Sequence, residues 1–238
     1  IGWPALDLRH RSPARTPMKR AWFVTGTDTE VGKTFASCSL LHAARRQGLS
    51  AVGMKPVAAG TGPDGRNDDV ARLVAASGFS APESLINPWC FRAAIAPHLA
   101  AEAEGKVIGF APILRACERL RTAADVVVVE GVGGFRVPLG PDGDSADLAV
   151  ALGLPIILVV GLRLGCLNHA LLTAEAIAAR HLPLAGWIAN TLDPTMERSA
   201  ENVATLSGLL PAPCLGILPF RPDGDSAASA ASLTLPSA

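Results

Sequence analysis

A glycine-bounded loop near the N-terminus has the composition of a phosphate-binding site. Residues 26–34 read Gly-Thr-Asp-Thr-Glu-Val-Gly-Lys-Thr, between an apolar run and a helical pattern. Gly32 would let backbone N–H groups approach phosphate oxygens, and the start of the following helix adds partial positive charge. Lys33 would bind the β- and γ-phosphates, and the Thr34 hydroxyl would ligate Mg²⁺. The sequence therefore predicts a Mg·ATP site at this loop.

The loop departs from the strict pattern GxxxxGK[ST] in one position. That pattern would place a glycine at Thr27, whereas the glycine here is Gly26. The departure fits a variant class of loop with one extra residue. A chance occurrence of Gly-Lys-Thr at a helix start is the alternative, and the order of strand, glycine turn and helix argues against it.

Two carboxylates are candidate Mg²⁺ ligands. Glu130 ends the apolar run 126–129, and ligands of open parallel sheets bind at the carboxyl ends of strands. A structural hydrogen-bond network around Glu130 is the alternative. The second ligand is Asp68 or Asp69, which spacing does not distinguish, and either could instead cap the helix that follows.

Lys55 is a candidate second cation at the same edge of the sheet. It ends the second predicted strand, just before Pro56. Two ammonium groups would suit a reaction that builds negative charge on a transferring phosphoryl group. A solvated surface lysine is the alternative interpretation.

The elements that position these groups follow from the apolar pattern. Continuous apolar runs at 22–24, 126–129 and 156–160 are typical of parallel strands covered by helices on both faces. Weaker strands are predicted at 51–55, 185–189 and 215–218, and helices at 33–47, 69–76, 111–123, 166–180 and 195–210. The alternation predicts a single-domain α/β fold with a doubly wound, mainly parallel sheet.

Composition excludes several function classes. The 238 residues carry 21 basic and 21 acidic side chains, so no basic field indicates a nucleic-acid partner. No apolar run is long enough to span a bilayer, which excludes a membrane role. The five cysteines are scattered without a CxxC pair, which is typical of reduced thiols in a cytoplasmic protein.

We expect the folded domain to occupy residues 18–225. Residues 1–17 carry three arginines and three prolines without an apolar core, so we interpret them as a disordered or non-native extension rather than an Arg-rich targeting peptide. Residues 226–238 are rich in serine and alanine and are predicted to form a loose tail.

Five segments together resemble the dethiobiotin synthetase family, a group of P-loop NTPase-fold enzymes. They are residues 26–34, Lys-Pro-Val-Ala at 55–58, Val-Glu-Gly-Val-Gly-Gly at 129–134, residues 160–169 and residues 184–190. The likeness runs in order from about residue 19 to about residue 222. It implies that CO₂ is captured on 7,8-diaminononanoate as a carbamate, which ATP and Mg²⁺ activate before the second amine closes the ring. It also implies a homodimer.

The resemblance assigns roles to individual residues. It implies Lys33 and Lys55 as catalytic cations, and it selects Asp69 to hold Mg²⁺ with Thr34 and Glu130. The diamine would contact Thr29 and Ala59, and Leu164, Gly165 and Asn168 would reach it across the dimer interface. The implied nucleotide contacts are Glu30, Val31, Gly32, Lys33, Thr34, Phe35, Asp69, Glu130, Gly131, Val132, Gly133, Asn190, Thr191, Pro219, Phe220 and Arg221.

Two departures from the family pattern bear on ligand binding. Ala59 stands where the family often has serine, so a hydroxyl contact to substrate would be lost. Ser226 stands where an acidic residue near the ribose is expected, beside Asp225. A partitioning-type ATPase switch or a non-catalytic nucleotide-binding relative remains the alternative function. A glutamine-dependent amidotransferase is excluded because the chain is too short for a glutaminase domain.

Overall fold

The computed structural model describes residues 19–236, so the predicted extension 1–17 lies outside the described residues. The strands are β1 (Arg20–Gly26), β2 (Ala51–Met54), β3 (Val57–Ala59), β4 (Trp89–Phe91), β5 (Val126–Glu130), β6 (Pro138–Gly140), β7 (Gly143–Asp144), β8 (Ile156–Leu162), β9 (Leu184–Thr191) and β10 (Cys214–Leu218). The helices are α1 (Lys33–Arg46), α2 (Asp68–Ala76), α3 (Glu83–Ile86), α4 (Pro97–Ala103), α5 (Phe110–Ala123), α6 (Ser145–Leu152), α7 (Cys166–Ala178), α8 (Ser199–Leu209) and α9 (Ser226–Ser229), followed by a 3₁₀ turn at Ala230–Ser232.

Six strands form the central sheet in the order β10-β9-β8-β1-β5-β2, and every neighbouring pair is parallel. The four valines of β5 are fully buried, as expected for a strand covered on both faces. β1 lies in the middle, with β5 on one side and β8 on the other. The chain changes direction across the sheet at this strand, which is where open α/β sheets bind ligands. The predicted sheet is confirmed.

Apolar clusters on the two faces hold the sheet between its helices. Phe23 packs on one face with residues of α5 and α6, whereas Trp22 and Val24 face α1 on the other. This division follows from the alternation of side chains along a strand. The predicted helix 195–210 begins later, at Ser199. Two small sheets, β3–β4 and β6–β7, and helices α3, α4 and α6 were not predicted.

The C-terminal segment differs from the loose tail predicted for 226–238. Asp225 caps α9, Ser229 and Ala230 are buried, and Leu233 joins the apolar cluster under α1. The N–H of Thr234 donates to the carbonyl of Leu215 at 2.8 Å. The small side chains that suggested a loose tail instead let the segment approach α1 closely, so residues 226–236 have a defined conformation.

Candidate active site

The phosphate loop joins the end of β1 to the start of α1. Gly32 is the N-cap residue in the left-handed conformation, at φ 85° and ψ 31°, and no side chain caps the helix. Glu30 also has a positive φ, of 59°. The first N–H groups of α1 are therefore left without a capping side chain, and an anion is the partner that such N–H groups favour.

Asn190, near the carboxyl end of β9, holds this loop by a hydrogen bond. Its Nδ2 donates to the carbonyl of Val31 at 3.0 Å. A Cβ atom on Gly32 would lie 2.1 Å from that nitrogen, so only glycine fits beside Asn190. The structure thus uses the amide of Asn190 to hold the loop, in addition to the adenine contact predicted for it.

Three oxygen-bearing side chains converge beside the loop. The Thr34 hydroxyl lies 2.8 Å from Asp69 Oδ1 and 2.8 Å from Glu130 Oε1. A hydroxyl has one proton and can donate to only one of them at a time. Glu130 is fully buried, and its Oε2 has no hydrogen-bond partner among the described residues. One carboxylate oxygen of this buried group therefore lacks a partner among the described residues, and a cation could supply it.

The structure also distinguishes the two neighbouring aspartates. Asn67 is the N-cap of α2, and its side chain accepts from the N–H of Val70 at 3.2 Å. Neither aspartate is therefore needed as the cap. Asp69 points to Thr34, whereas Asp68 is exposed at the first position of the helix.

Lys55 is buried among these carboxylates and is not a surface lysine. Its Nζ lies 2.9 Å from Asp69 Oδ2 and 2.5 Å from Glu130 Oε1, and the residue is 4% exposed. Burial opposes the charge, but the attraction of Glu130 and Asp69 outweighs it and raises the pKa of Lys55 above its ordinary value. The side chain is therefore a permanent cation at physiological pH.

Lys33 carries the second ammonium group. Its Nζ donates to the backbone carbonyl of Asp28 at 2.8 Å, within the loop itself. Burial and repulsion by Lys55 lower the pKa of Lys33 to about 8. A phosphate anion would favour the protonated form, so Lys33 is suited to respond to a bound nucleotide.

Thr34, Asp69 and the two lysines border a cleft of about 780 Å³, whereas Glu130 is fully buried behind them. Eleven of the predicted site residues line it: Thr29, Glu30, Gly32, Lys33, Thr34, Phe35, Lys55, Ala59, Asp69, Val132 and Gly133. Sequence reasoning missed the rest of the wall, which comprises Asn67, Arg72, Ala94, Ile95, Ala96, Pro97 and Val137. Pro97 at the start of α4 was a usable helix signal, but no pattern in the sequence places that helix beside the phosphate loop.

Other predicted residues lie outside this cleft. Leu164 and Gly165 are exposed in the β8–α7 turn, where Leu164 is 98% exposed, and Asn168 is exposed in the first turn of α7. Val31 and Gly131 are buried behind the loop. Thr191 ends β9, and Pro219, Phe220 and Arg221 are exposed after β10. Arg163 joins the β8–α7 turn to the phosphate loop by an ion pair with Asp28, at 2.6 Å.

The donor set fits Mg²⁺. Within residues 19–236 no cluster of three or more His, Cys, Asp or Glu side chains could hold a metal ion. Mg²⁺ commonly needs only one or two carboxylates, because water and substrate phosphates complete its octahedron. Two carboxylates and a hydroxyl at a phosphate loop meet that requirement.

None of the helices within residues 19–236 is long and apolar enough to cross a membrane.

Comparison with known proteins defines the class first. A family profile described as "AAA domain" matches residues 20–228. The septum site-determining protein MinD of Pyrococcus horikoshii, solved with Mg-ADP, superposes with a TM-score of 0.55 at 16% identity, covering 89% of this chain and 86% of MinD. MinD of Aquifex aeolicus gives 0.54 at 14% identity, with coverage of 89% and 87%. The chain therefore has the P-loop NTPase fold that the sequence predicts.

Sequence relatives then define the family. The ATP-dependent dethiobiotin synthetase BioD of Aromatoleum aromaticum is 59% identical over 91% of this chain and 98% of its own length. The enzymes of the same name from Ralstonia nicotianae and Xanthomonas oryzae are 56% and 52% identical, over 90% and 91% of the chain and 95% and 98% of their own lengths. This chain belongs to the ATP-dependent dethiobiotin synthetase family. The family expected from the sequence is confirmed, and the partitioning-type switch is not favoured, because the likeness to MinD concerns the fold alone.

Proposed function

We propose that this chain uses ATP to carboxylate 7,8-diaminononanoate and close the cyclic urea of dethiobiotin, releasing ADP and phosphate. One observation carries the proposal. In a chain of this family, Lys33, Lys55, Thr34 and Asp69 border a single cleft at the phosphate loop, and the buried Glu130 contacts Thr34 and Lys55 from behind it.

Mg²⁺ would be held by Thr34, Asp69 and Glu130. When bound, it would neutralise charge on the nucleotide phosphates and favour in-line transfer. The Oε2 of buried Glu130 has no partner within residues 19–236, which supports this assignment, because an unsatisfied carboxylate oxygen is costly without a cation or donor.

The first step needs little from the protein beyond positioning. The lone pair of an unprotonated substrate amine attacks CO₂, and the amine loses its proton to solvent, which leaves an anionic carbamate. Lys55 and Lys33 would favour this anion over free amine and CO₂ by charge neutralisation. No strong general base is required.

Activation and ring closure follow in the same cleft. A carbamate oxygen attacks the γ-phosphorus, and the bond to the ADP oxygen breaks, which gives a carbamic-phosphoric anhydride. The second amine then attacks the carbonyl carbon, expels phosphate and loses a proton. Charge builds on the transferring phosphoryl group and on the leaving phosphate, where both lysines would act.

The diamine would lie along the wall formed by Thr29 and Ala59, both of which border the cleft. Ala59 offers no hydroxyl, which would cost about 1 kcal/mol of binding if a backbone N–H does not replace it. Leu164, Gly165 and Asn168 would close the site from the partner subunit of a homodimer. The near-complete exposure of Leu164 supports that role.

The nucleotide base would lie toward Asn190, Thr191 and the segment Pro219, Phe220 and Arg221. That segment follows β10 at the carboxyl edge of the sheet, the same edge as the phosphate loop. We place the reaction in the cytoplasm, which is consistent with free thiols at all five cysteines.

The decisive experiment measures ADP release with ATP, Mg²⁺, bicarbonate and 7,8-diaminononanoate. We expect release to depend on the diamine and to match the formation of dethiobiotin. ADP release at the same rate without the diamine would instead favour an ATPase switch.

The dimer is tested by mixing two inactive variants. If the partner completes the site, a Lys55→Gln subunit and an Asn168→Ala subunit would together form heterodimers with one intact site. We expect activity to return on mixing, whereas activity that stays at the level of the separate variants would remove the shared site from the proposal.

A further inference from the structure

Arg72 occupies a position in the cleft that neither the motif nor the family resemblance assigns. It lies on α2 three residues after Asp69, so the two side chains share a face of the helix. Arg72 lines the 780 Å³ cleft and also a neighbouring cavity of about 290 Å³. Thr34 and Phe35, at the start of α1, border both cavities as well. The guanidinium therefore stands across from the first turn of the phosphate-loop helix.

Arg72 is exposed, and it forms no ion pair with any carboxylate of residues 19–236. Asp223 borders the smaller cavity and is the carboxylate with which Arg72 shares that space. An arginine beside a phosphate loop, without an ion-pair partner among the described residues, is suited to bind phosphate, because its planar fork of N–H donors matches two phosphate oxygens at once.

We propose that Arg72 is a further nucleotide-binding residue, whose guanidinium pairs with the α- and β-phosphates. In a phosphate loop the backbone N–H groups and the helix start hold the α- and β-phosphates, whereas the lysine reaches the β- and γ-phosphates. Thr34 and Phe35 form that helix start, and Arg72 faces them. Lys55, by contrast, is held between Asp69 and Glu130, deeper in the cleft.

The inference rests on the proposed function only in requiring that the cleft bind a nucleotide. Arg72 would be a third cation of the cleft, after Lys33 and Lys55. It lies outside the phosphate-loop motif, on the wall opposite the loop. A contact to the α- and β-phosphates stabilises ADP and ATP equally. It therefore sets nucleotide affinity rather than the rate of phosphoryl transfer.

The test is the Kd of Mg·ADP and of a non-hydrolysable Mg·ATP analogue, measured by calorimetry without diamine or bicarbonate. Arg72→Gln is compared with Arg115→Gln, which removes an exposed arginine of α5 that borders neither cavity. We expect Arg72→Gln to weaken both nucleotides by roughly tenfold and Arg115→Gln by less than about twofold. Raising the salt concentration should shrink the difference, because the contact is partly solvent-screened.

Three outcomes would overturn the proposal. Unchanged Kd values would show that Arg72 does not contact the nucleotide. Weaker binding of the ATP analogue with an unchanged Kd for ADP would indicate a contact to the γ-phosphate instead of the α- and β-phosphates. A lower thermal midpoint of the nucleotide-free protein with unchanged Kd would show that Arg72 pairs with Asp223 instead. The Kd measurements contain no diamine, so they do not depend on whether the chain shows diamine-dependent turnover. Unchanged Kd values would in turn leave the proposed reaction unaffected.

Discussion

Two strand-to-helix turns in this molecule both end in a left-handed glycine N-cap but have different surroundings. Gly32 begins α1 at φ 85°, and Gly165 begins α7 at φ 95°, each as a left-handed N-cap without a capping side chain. Around Gly32 stand Asn190 and the cluster of lysines and carboxylates. Around Gly165 a Cβ atom would meet nothing within 4 Å. The shared turn presents bare N–H groups, and the neighbouring side chains decide what those groups can bind.

The start of α6 shows the opposite solution. Asp144 accepts from the N–H groups of Ala146 and Asp147, and Asp147 in turn accepts from the N–H of Asp144. This capping box satisfies the helix end internally and leaves less for an anion to bind. A bare helix start thus marks a candidate anion site only where cations and a cleft accompany it.

The largest expected effect comes from adding a methyl group to each glycine turn. Gly32→Ala must displace Asn190 and adopt a positive φ, so we expect about 3 kcal/mol of lost stability and no measurable nucleotide binding. Gly165→Ala is expected to lose only about 1 kcal/mol of stability, because its sole cost is the positive φ. Chemical denaturation and nucleotide titration of both variants measure this. If both variants lose stability and nucleotide binding equally, the side chains around Gly32 do not distinguish the two turns.

Lys55→Gln tests the charge that distinguishes the first turn. Glutamine can still donate a hydrogen bond to Asp69 or Glu130, but it cannot neutralise developing charge. We expect turnover to fall by at least about tenfold. Lys106→Gln is the matched control, because Lys106 is an exposed lysine paired with Glu104 at 2.8 Å away from the cleft. If both variants keep full diamine-dependent ADP release, Lys55 has no catalytic role.

The self-capped helix provides a pH-dependent comparison. The hydrogen bond from the Asp144 N–H, aided by Arg180, holds the pKa of Asp147 below its ordinary value. Stability from such a carboxylate is fully present above its unfolded pKa and is lost as the pH falls through the folded pKa. We expect Asp147→Asn to cost about 1 kcal/mol at pH 7 and less at pH 3. Urea denaturation at the two pH values measures the cost, and a constant difference would argue against this linkage.

The smallest expected effect concerns the ion pair that links the two glycine turns. Asp28 and Arg163 are both about half exposed, so a double-mutant cycle with Asp28→Asn and Arg163→Gln should give about 0.5 kcal/mol of coupling at low salt. The coupling should fall at 1 M salt. A coupling above about 2 kcal/mol, or one insensitive to salt, would mean that the turns are joined by more than this surface pair.

The local sequence pattern was sufficient to predict the sheet and the phosphate loop. The valine run of β5 and the apolar run of β8 indicated buried strands, and the order of strand, glycine turn and helix indicated the loop from Gly26 to Thr34. The predicted α1 and α5 agree with the observed helices to within one residue at each end. The roles assigned to individual site residues remain predictions.

Long-range contacts were beyond that pattern. Spacing alone left Asp68 and Asp69 equivalent, and the structure separates them because Asp69 contacts Thr34 whereas Asp68 is exposed. The cleft wall at residues 94–97 and Arg72 carried no motif. Residues 226–236 were expected to be loose because a Ser/Ala-rich composition shows no apolar period, yet Leu233 is buried beneath α1.

Chain order and residue type alone therefore dictate that a strand, a glycine turn and a helix form a phosphate loop, because those preferences act over a few neighbouring residues. The meeting of Thr34, Asp69, Glu130 and Lys55 is a tertiary property. These residues come from α1, α2, β5 and the end of β2, and parallel pairing of β2 with β5 and of β5 with β1 brings those ends to one edge of the sheet. Burial at that edge then forces each charge to find a partner, and this requirement gives the site its chemistry.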